Sequence, residues 1–193
     1  MFAVRCSLIT IGVIIMIVFT LGTIIFPFER AVDWLALLLE REIIVEPVLF
    51  QHGATPAAFN HPLLTTVPSL TKSEMQKSIR QASMVIAHAG QGSTRMLAKM
   101  GSSFVLLPRL KRYGEHIDDH QLLFAQAVAK FGIDYCTEFS SLVDRIQHPP
   151  LPIQGELFNE PSLGRYFREF YQTPALIRQV SSSMNPNSGL YYD

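Results

Sequence analysis

Hydrophobic and polar positions alternate along the chain with two different periods. From residue 16 onward, short apolar runs are followed by longer segments in which apolar residues return every three or four positions. Short apolar runs are typical of buried strands, and the longer spacing is typical of amphipathic helices. Because the two kinds of segment alternate, the sequence predicts an α/β fold, a Rossmann-like parallel sheet flanked by helices.

The individual runs predict the following elements. The predicted strands cover residues 17–21, 47–51, 64–67, 84–87, 104–107 and, as a short last strand, 133–136. The predicted helices cover residues 27–41, 72–81, 94–100 and 115–131. Thr71 and Glu74 have the spacing of a capping box, which favours a helix that begins at Lys72.

These elements predict a single domain over residues 16–148. A chain of 193 residues is long enough for one domain with a complete core and short for two. Beyond the prolines that follow His148 the periodicity weakens. We interpret residues 149–193 as a C-terminal linker, with one amphipathic helix over 163–171 and a polar, disordered tail from 181.

The N-terminal run over residues 6–28 has two interpretations, because it contains no charged residue. Its length would suit a membrane-spanning helix. It is also rich in Ile, Val and Thr, is interrupted by glycines and ends near Pro27, which is typical of a buried strand and turn. We favour the strand, with Met16 as a candidate for the true start, and we interpret residues 1–15 as an apolar extension that is either a mis-assigned start or an anchor.

Charge and cysteine content exclude several classes of protein. Sixteen basic and sixteen acidic residues give a formal net charge of zero, so we expect no nucleic-acid partner, and an anion site must be built locally. Cys6 and Cys136 lie far apart and form no CxxC motif. This usage favours the cytoplasm, without a disulfide framework or a cysteine zinc site.

Three predicted loops are suited to an anion. In an open parallel sheet, ligands bind outside the carboxyl ends of the strands. The loops that leave predicted strands there contain Gly22 and Thr23, residues 88–93, and Arg109. The guanidinium of Arg109 could offset the charge of a diphosphate.

The turn His88-Ala-Gly-Gln-Gly-Ser93 is the best candidate of the three. Gly90 and Gly92 would let the backbone approach a phosphate, and a helix that starts near Thr94 would offer unpaired N–H groups. A tight bend from strand to helix also needs glycine whatever it binds. Fingerprints for NAD and for ATP are missing from the sequence, so we expect no cofactor of either kind.

A second polar cluster lies at the predicted start of the long helix, and its members are Glu115, His116, Asp118, Asp119, His120 and Gln121. Such groups can bind a hydroxyl-rich ligand such as a sugar. Alternatively, the acidic residues only complement the helix dipole. A metal site from His116, His120 and Glu115 is a further alternative. We favour no metal, because zinc hydrolases usually place a catalytic glutamate between such histidines, and none lies between His116 and His120.

Taken together, the motifs resemble the C-terminal, donor-binding domain of family 28 glycosyltransferases. More closely, they resemble the single-domain subunits of split enzymes, namely the dolichol-pathway N-acetylglucosaminyltransferase catalytic subunit and bacterial exopolysaccharide relatives. The resemblance covers residues 16–136, in the family's order. The pieces that match are 19–23 with 26–28, 50–53, 88–93, 108–109 and 114–121.

This resemblance implies half of a GT-B fold that binds a UDP-sugar, with the acceptor-binding half on a separate, membrane-anchored protein that binds a lipid-linked acceptor. UDP-sugar would be the substrate, with no further cofactor. Residues 90–93 would hold the diphosphate, and His120 and Gln121 would contact the sugar. The residues assigned to the donor are thus Gly22, Thr23, His88, Gly90, Gln91, Gly92, Ser93, Arg109, His120 and Gln121. Glu115 and His116 are the candidates for catalysis.

The sequence departs from the family at two positions. Met96 stands where many members carry a glutamate that binds the ribose, and Gly101-Ser102-Ser103 replaces the usual Gly-Lys-Pro. Loss of the glutamate is compatible with the exopolysaccharide branch. It is also compatible with a non-catalytic subunit that binds a nucleotide sugar or regulates a complex.

Overall fold

The computed structural model describes residues 15–153, which contain five strands and five α-helices. The strands are β1 (Met16–Thr20), β2 (Val48–Gln51), β3 (Leu64–Val67), β4 (Ala82–His88) and β5 (Phe104–Leu107). The helices are α1 (Glu29–Glu40), α2 (Lys72–Gln81), α3 (Gln91–Lys99), α4 (His120–Ala129) and α5 (Phe139–Gln147). The predicted C-terminal helix and tail, over 163–171 and from 181, lie outside the described residues.

The five strands form one parallel sheet in the order β3-β2-β1-β4-β5. The predicted α/β fold, a Rossmann-like parallel sheet flanked by helices, is therefore confirmed. Strands β2 and β3 lie on one side of β1, and strands β4 and β5 lie on its other side. The order of the strands therefore reverses between β1 and β4. A crevice at the carboxyl ends of the strands opens at such a reversal, which makes this edge the expected binding site.

The central strand β1 comes from the N-terminal apolar run. Ile17, Val18 and Phe19 are buried, since β1 pairs with β2 on one side and β4 on the other. The strand interpretation is confirmed for the described part of the run, and residues 1–14 lie outside it. Within residues 15–153, every helix is too short or too polar to cross a membrane.

Local sequence signals position several elements as expected. The hydroxyl of Thr71 accepts a hydrogen bond from the Glu74 N–H, and the Glu74 carboxylate accepts one from the Thr71 N–H at 2.8 Å. This is the predicted capping box at the start of α2. The strands β3 and β5 and the helix α2 have the predicted bounds.

Two predicted helix starts are wrong by three residues or more. Helix α3 begins at Gln91 rather than at 94, because the backbone is already extended at Gly90, whose carbonyl accepts the first helical bond from the Thr94 N–H. Helix α4 begins at His120 rather than at 115. The reason is local: side chains of the preceding residues bind nearby backbone N–H groups, which competes with a helical turn.

The end of the domain also differs from the prediction. Residues 133–136 form a single bridge, between Leu106 and Tyr135, instead of a strand. Helix α5 was not predicted, although Phe139, Leu142 and Ile146 have helical spacing. Leu142 is buried, and the ring of Phe139 packs against Trp34 of α1 at 5.9 Å. Helix α5 therefore completes the core on that side of the sheet.

Candidate functional site

An open cleft of about 890 Å³ lies at the carboxyl edge of the sheet, where the order of strands reverses. Its walls come from the ends of β1, β2 and β4 and from helices α2 and α3. We call it the edge cleft. Five residues assigned to the donor from the sequence line it, namely Gly22, Thr23, His88, Gly92 and Ser93.

The first turn of α3 gives the edge cleft a place for an anion. Gly90 is the N-cap residue, and no described side chain caps this end of the helix. The N–H groups of Gln91, Gly92 and Ser93 belong to the first turn, where helical N–H groups have no partner within the helix. A Cβ on Gly92 would meet no atom within 4 Å. The backbone at Gly92 is therefore open to a ligand.

Basic side chains line the same cleft. The four are Lys72 and Arg80 of α2 and Arg95 and Lys99 of α3, and the described lining contains no acidic side chain. The local charge is therefore positive although the chain is neutral overall. These residues were not predicted from the sequence. Their spacing is the pattern that could have identified them. Arg95 and Lys99 are four residues apart and Lys72 and Arg80 eight, and residues at such intervals lie on one face of a helix.

His88 explains why Gly22 and Gly90 are glycines. A Cβ on Gly22 would lie 2.5 Å from Cε1 of His88, and a Cβ on Gly90 would lie 2.4 Å from its Nε2. Gly22 also has a φ of +73°, which disfavours other residues. The imidazole of His88 is therefore enclosed by two backbone segments. These glycines make room for a side chain, whereas Gly92 faces open space.

The His88 ring is neutral at the ordinary pH of a cell. Its pKa is lowered from 6.5 to about 4, mainly by burial and also by the charge of Arg109, while the backbone of Thr20 opposes the shift. Nδ1 of His88 has no hydrogen-bond partner among the described atoms. A neutral ring is a weak base, so His88 is suited to shaping the cleft and to hydrogen bonding.

Gln51 holds the loop after β1 against the neighbouring strands. Its Nε2 donates to the carbonyl oxygens of Gly22 at 2.8 Å and Pro68 at 3.1 Å, and its Oε1 accepts from the Thr20 hydroxyl. Gln51 is buried and lines the edge cleft. The sequence analysis did not assign it a role, because a glutamine at the end of a predicted strand carries no specific signal.

On the other side of the crevice, Arg109 lies in the β5–α4 loop, which covers residues 108–119. Its guanidinium is buried and donates to the carbonyl oxygens of Phe26 at 2.8 Å, Pro27 at 3.1 Å and Leu21 at 3.2 Å. Burial lowers its pKa to about 10, and the nearby Glu115 opposes this shift. Arg109 does not line the edge cleft; it holds the loop after β1 in place.

The Glu115 carboxylate, like the Arg109 guanidinium, is bound by other groups of the fold. It forms a two-point ion pair with Arg30, with both distances at 2.8 Å, and also accepts a hydrogen bond from the Leu110 N–H at 2.8 Å. The side chain is nearly inaccessible to solvent. The carboxylate therefore joins α1 to the β5–α4 loop.

The remaining predicted residues lie beside this loop. Oε1 of Gln121 accepts a hydrogen bond from the Arg109 N–H at 3.1 Å, and its side chain is buried. His116 is buried, and burial lowers its pKa, with the nearby His120 as the second cause. His120 is exposed and contacts Asp118. These residues do not line the edge cleft.

The chain is similar to known proteins in sequence and in fold. The family model of the glycosyltransferase family 28 C-terminal domain matches residues 16–157. No curated protein matches the sequence.

Among the solved structures that are similar in fold are those of three proteins, and they confirm the predicted half of a GT-B fold. The glycosyltransferase SnogD from Streptomyces nogalater has a TM-score of 0.51 and 14% identity, over 88% of this chain and 44% of that chain. The glycotransferase of kitacinnamycin has a TM-score of 0.52 and 15% identity, over 90% and 39% of the two chains. The solution structure of ALG13 has a TM-score of 0.50 and 16% identity, over 78% and 93%. The chain spans less than half the length of the first two.

Proposed function

The chain belongs to the family of glycosyltransferase family 28 C-terminal domains, and from this we propose that its edge cleft binds the UDP-sugar donor of a glycosyl transfer. In this proposal, a membrane-anchored partner binds a lipid-linked saccharide as the acceptor, at the cytoplasmic face of the membrane. The two chains together transfer the sugar in the biosynthesis of a polysaccharide or glycolipid.

One observation carries the proposal. The uncapped first turn of α3 and four basic side chains meet in one cleft at the reversal of strand order. Backbone N–H groups at a helix start and nearby cations are what a diphosphate requires. The volume of about 890 Å³ lies within the usual range for small-molecule sites.

The same groups are suited to assisting the transfer. When the acceptor hydroxyl attacks the anomeric carbon, the bond to the diphosphate breaks and UDP leaves with additional negative charge. The N–H groups of residues 91–93 and the cations of α2 and α3 would stabilise that charge in place. This accounts for a donor site without requiring a resident metal.

The base that removes the acceptor proton is assigned to the partner in this proposal. The described lining of the edge cleft has no carboxylate, and His88 has a low pKa. Glu115, a candidate from the sequence, is already bound to Arg30 and Leu110. Catalytic roles for Glu115 and His116 stay predictions, and the contacts of Glu115 favour a structural role.

The test of donor binding is a calorimetric titration of the full-length chain with UDP, UDP-sugars and uridine. If the cleft binds the diphosphate, UDP binds at least about tenfold more tightly than uridine, because the N–H groups and cations act only on the phosphates. Equal affinities for UDP and uridine would contradict the proposal.

The second candidate is a non-catalytic subunit that binds a nucleotide sugar or regulates a complex. Met96 favours it, because this side chain lines the edge cleft where many family members carry a glutamate for the ribose. Co-expression with an acceptor-binding partner and a panel of UDP-sugars separates the two candidates. Binding without turnover in the presence of the partner would support the non-catalytic subunit.

A further inference from the structure

Two imidazoles and one carboxylate meet just before α4, away from the edge cleft. Nδ1 of His116 lies 3.2 Å from Oδ1 of Asp118, and Nδ1 of His120 lies 2.5 Å from the same oxygen. The two histidine rings are 4.3 Å apart and meet edge to face. All three ligand atoms lie within 4.8 Å of one another. We call these residues the 116–120 cluster.

We propose that the 116–120 cluster binds a divalent transition-metal ion, with Zn²⁺ as the first candidate, and leaves a coordination position open to solvent. Two imidazole nitrogens and a carboxylate oxygen suit zinc and its neighbours in the first row, whereas Ca²⁺ and Mg²⁺ prefer oxygen alone. Three protein ligands also match the zinc sites that keep a fourth position for water or substrate.

One ligand–ligand distance matches that of a tetrahedral site, and a second is shorter. Ligand atoms at 2.0–2.2 Å from zinc lie about 3.3 Å from one another. The His116–Asp118 pair already has this spacing, at 3.2 Å. The Asp118–His120 pair must open by about 0.8 Å to reach it. Both of these side chains are about half exposed, so such a movement meets little packing.

One ligand is fixed by its surroundings. The His116 side chain is 6% exposed, and its ring packs against Phe26 with centroids 5.3 Å apart. Next to Asp118, the carboxylate of Asp119 accepts a hydrogen bond from the Lys111 N–H at 2.9 Å, which ties the loop to the residues after β5. A buried histidine therefore faces two accessible ligands on a short, restrained segment.

This cluster differs from the alternative that the sequence suggested. That alternative placed His116 and His120 one helical turn apart, with Glu115 as the third ligand. In the structure α4 begins only at His120, and Glu115 is bound to Arg30. Asp118 takes its place between the two imidazoles. None of the three ligands lines the edge cleft, so the proposed metal site is separate from that cleft.

The test is calorimetric titration of the EDTA-treated, full-length chain with ZnCl₂, followed by CoCl₂ titration with visible absorption. We expect one ion per chain, an intense ligand-field band for Co²⁺ and a higher melting temperature with zinc. Asp118→Asn and His120→Ala should each weaken binding by about tenfold or more, since the first removes the charge of a direct ligand and the second removes a ligand. Both residues are exposed, and circular dichroism checks that the variants fold.

His148→Ala is the matched control. Nδ1 of His148 lies 3.3 Å from the Asp144 carboxylate, so this exposed pair resembles His120–Asp118 but has no second imidazole in the described structure. Zinc affinity should be unchanged in this variant. The proposal is overturned if the wild-type chain binds no zinc, or if Asp118→Asn and His120→Ala bind it as tightly as His148→Ala does. UDP titrations of the same variants report separately on the donor site.

Discussion

The two loops that flank the crevice use polar groups in opposite ways. The turn between β4 and α3 leaves backbone N–H groups uncapped, and the cations of α2 and α3 surround it. In the β5–α4 loop, Arg109 and Glu115 are 1% and 3% exposed, and both bind backbone groups. The first loop leaves polar atoms accessible in the cleft, and the second uses them to hold the fold.

Loop length explains the difference. The β4–α3 turn is so short that Gly90 is already the N-cap of the helix, and Gly92 and Ser93 of the first turn line the cleft. The β5–α4 loop has twelve residues and is partly buried, so its backbone groups and those of the loop after β1 need partners. Charged side chains supply them. A charged residue beside a crevice is therefore no proof of a ligand contact.

Replacing Arg109 tests the second half of this comparison and has the largest expected effect. Arg109→Met removes the donors to the carbonyl oxygens of Leu21, Phe26 and Pro27. Breaking such a buried charged network lowers the free energy of unfolding by roughly 3–5 kcal/mol, which urea titration measures.

The control for Arg109 is Arg112→Met. Arg112 is in the same loop, but its side chain is exposed and lies 3.6 Å from an exposed Glu138. Such a pair contributes at most about 1 kcal/mol. If both variants lose the same stability, Arg109 is not the structural residue described here. If Arg109→Met folds normally but loses UDP binding, the original interpretation of Arg109 as a diphosphate ligand is restored.

The pH dependence of stability tests the enclosure of His88. Its pKa is about 4 in the folded chain and about 6.5 when unfolded, so the unfolded state binds more protons between these values. The stability from the neutral ring is complete above pH 6.5 and is lost as pH falls towards 4, by about 3 kcal/mol. Urea titrations from pH 7.5 to 4 should show this loss.

The control separates His88 from carboxylates that titrate nearby. In His88→Gln, the part of the loss due to His88 should disappear, whereas His148→Gln should keep the wild-type profile because its ring is exposed. A wild-type profile in His88→Gln would show that the ring is not held neutral by the fold.

The sequence predicted the sheet and much of the β4–α3 turn. It did not predict that this turn and the β5–α4 loop use their polar groups differently. Apolar runs set the strands, and Thr71 with Glu74 set the start of α2, because these signals are local. The roles of Arg109 and Glu115 depend on partners such as Phe26 and Arg30, far away in the sequence. The basic side chains that line the edge cleft were not predicted, because exposed charges on a helix usually only face solvent.

The glycines of the β4–α3 turn give a matched pair with a smaller effect. Gly90→Ala places a Cβ 2.4 Å from Nε2 of the enclosed His88, so it should cost about 2 kcal/mol of stability. Gly92→Ala has free space and a helical position, so its stability should be unchanged or slightly higher. The methyl group added in Gly92→Ala would point into the open cleft, so UDP affinity should fall in this variant. Equal stabilities would contradict the different roles assigned to the two glycines.

The smallest expected effect concerns the cations of α2. Lys72→Gln removes a charge that lines the edge cleft, whereas Lys77→Gln removes one from the same helix that does not line it. An exposed charge of this kind contributes roughly 0.5–1 kcal/mol, so UDP affinity should fall about two- to fivefold in the first variant only. The difference should shrink as salt is raised, because the interaction is screened. If both variants lose affinity equally, the positive field is diffuse, and α3 alone would define the site.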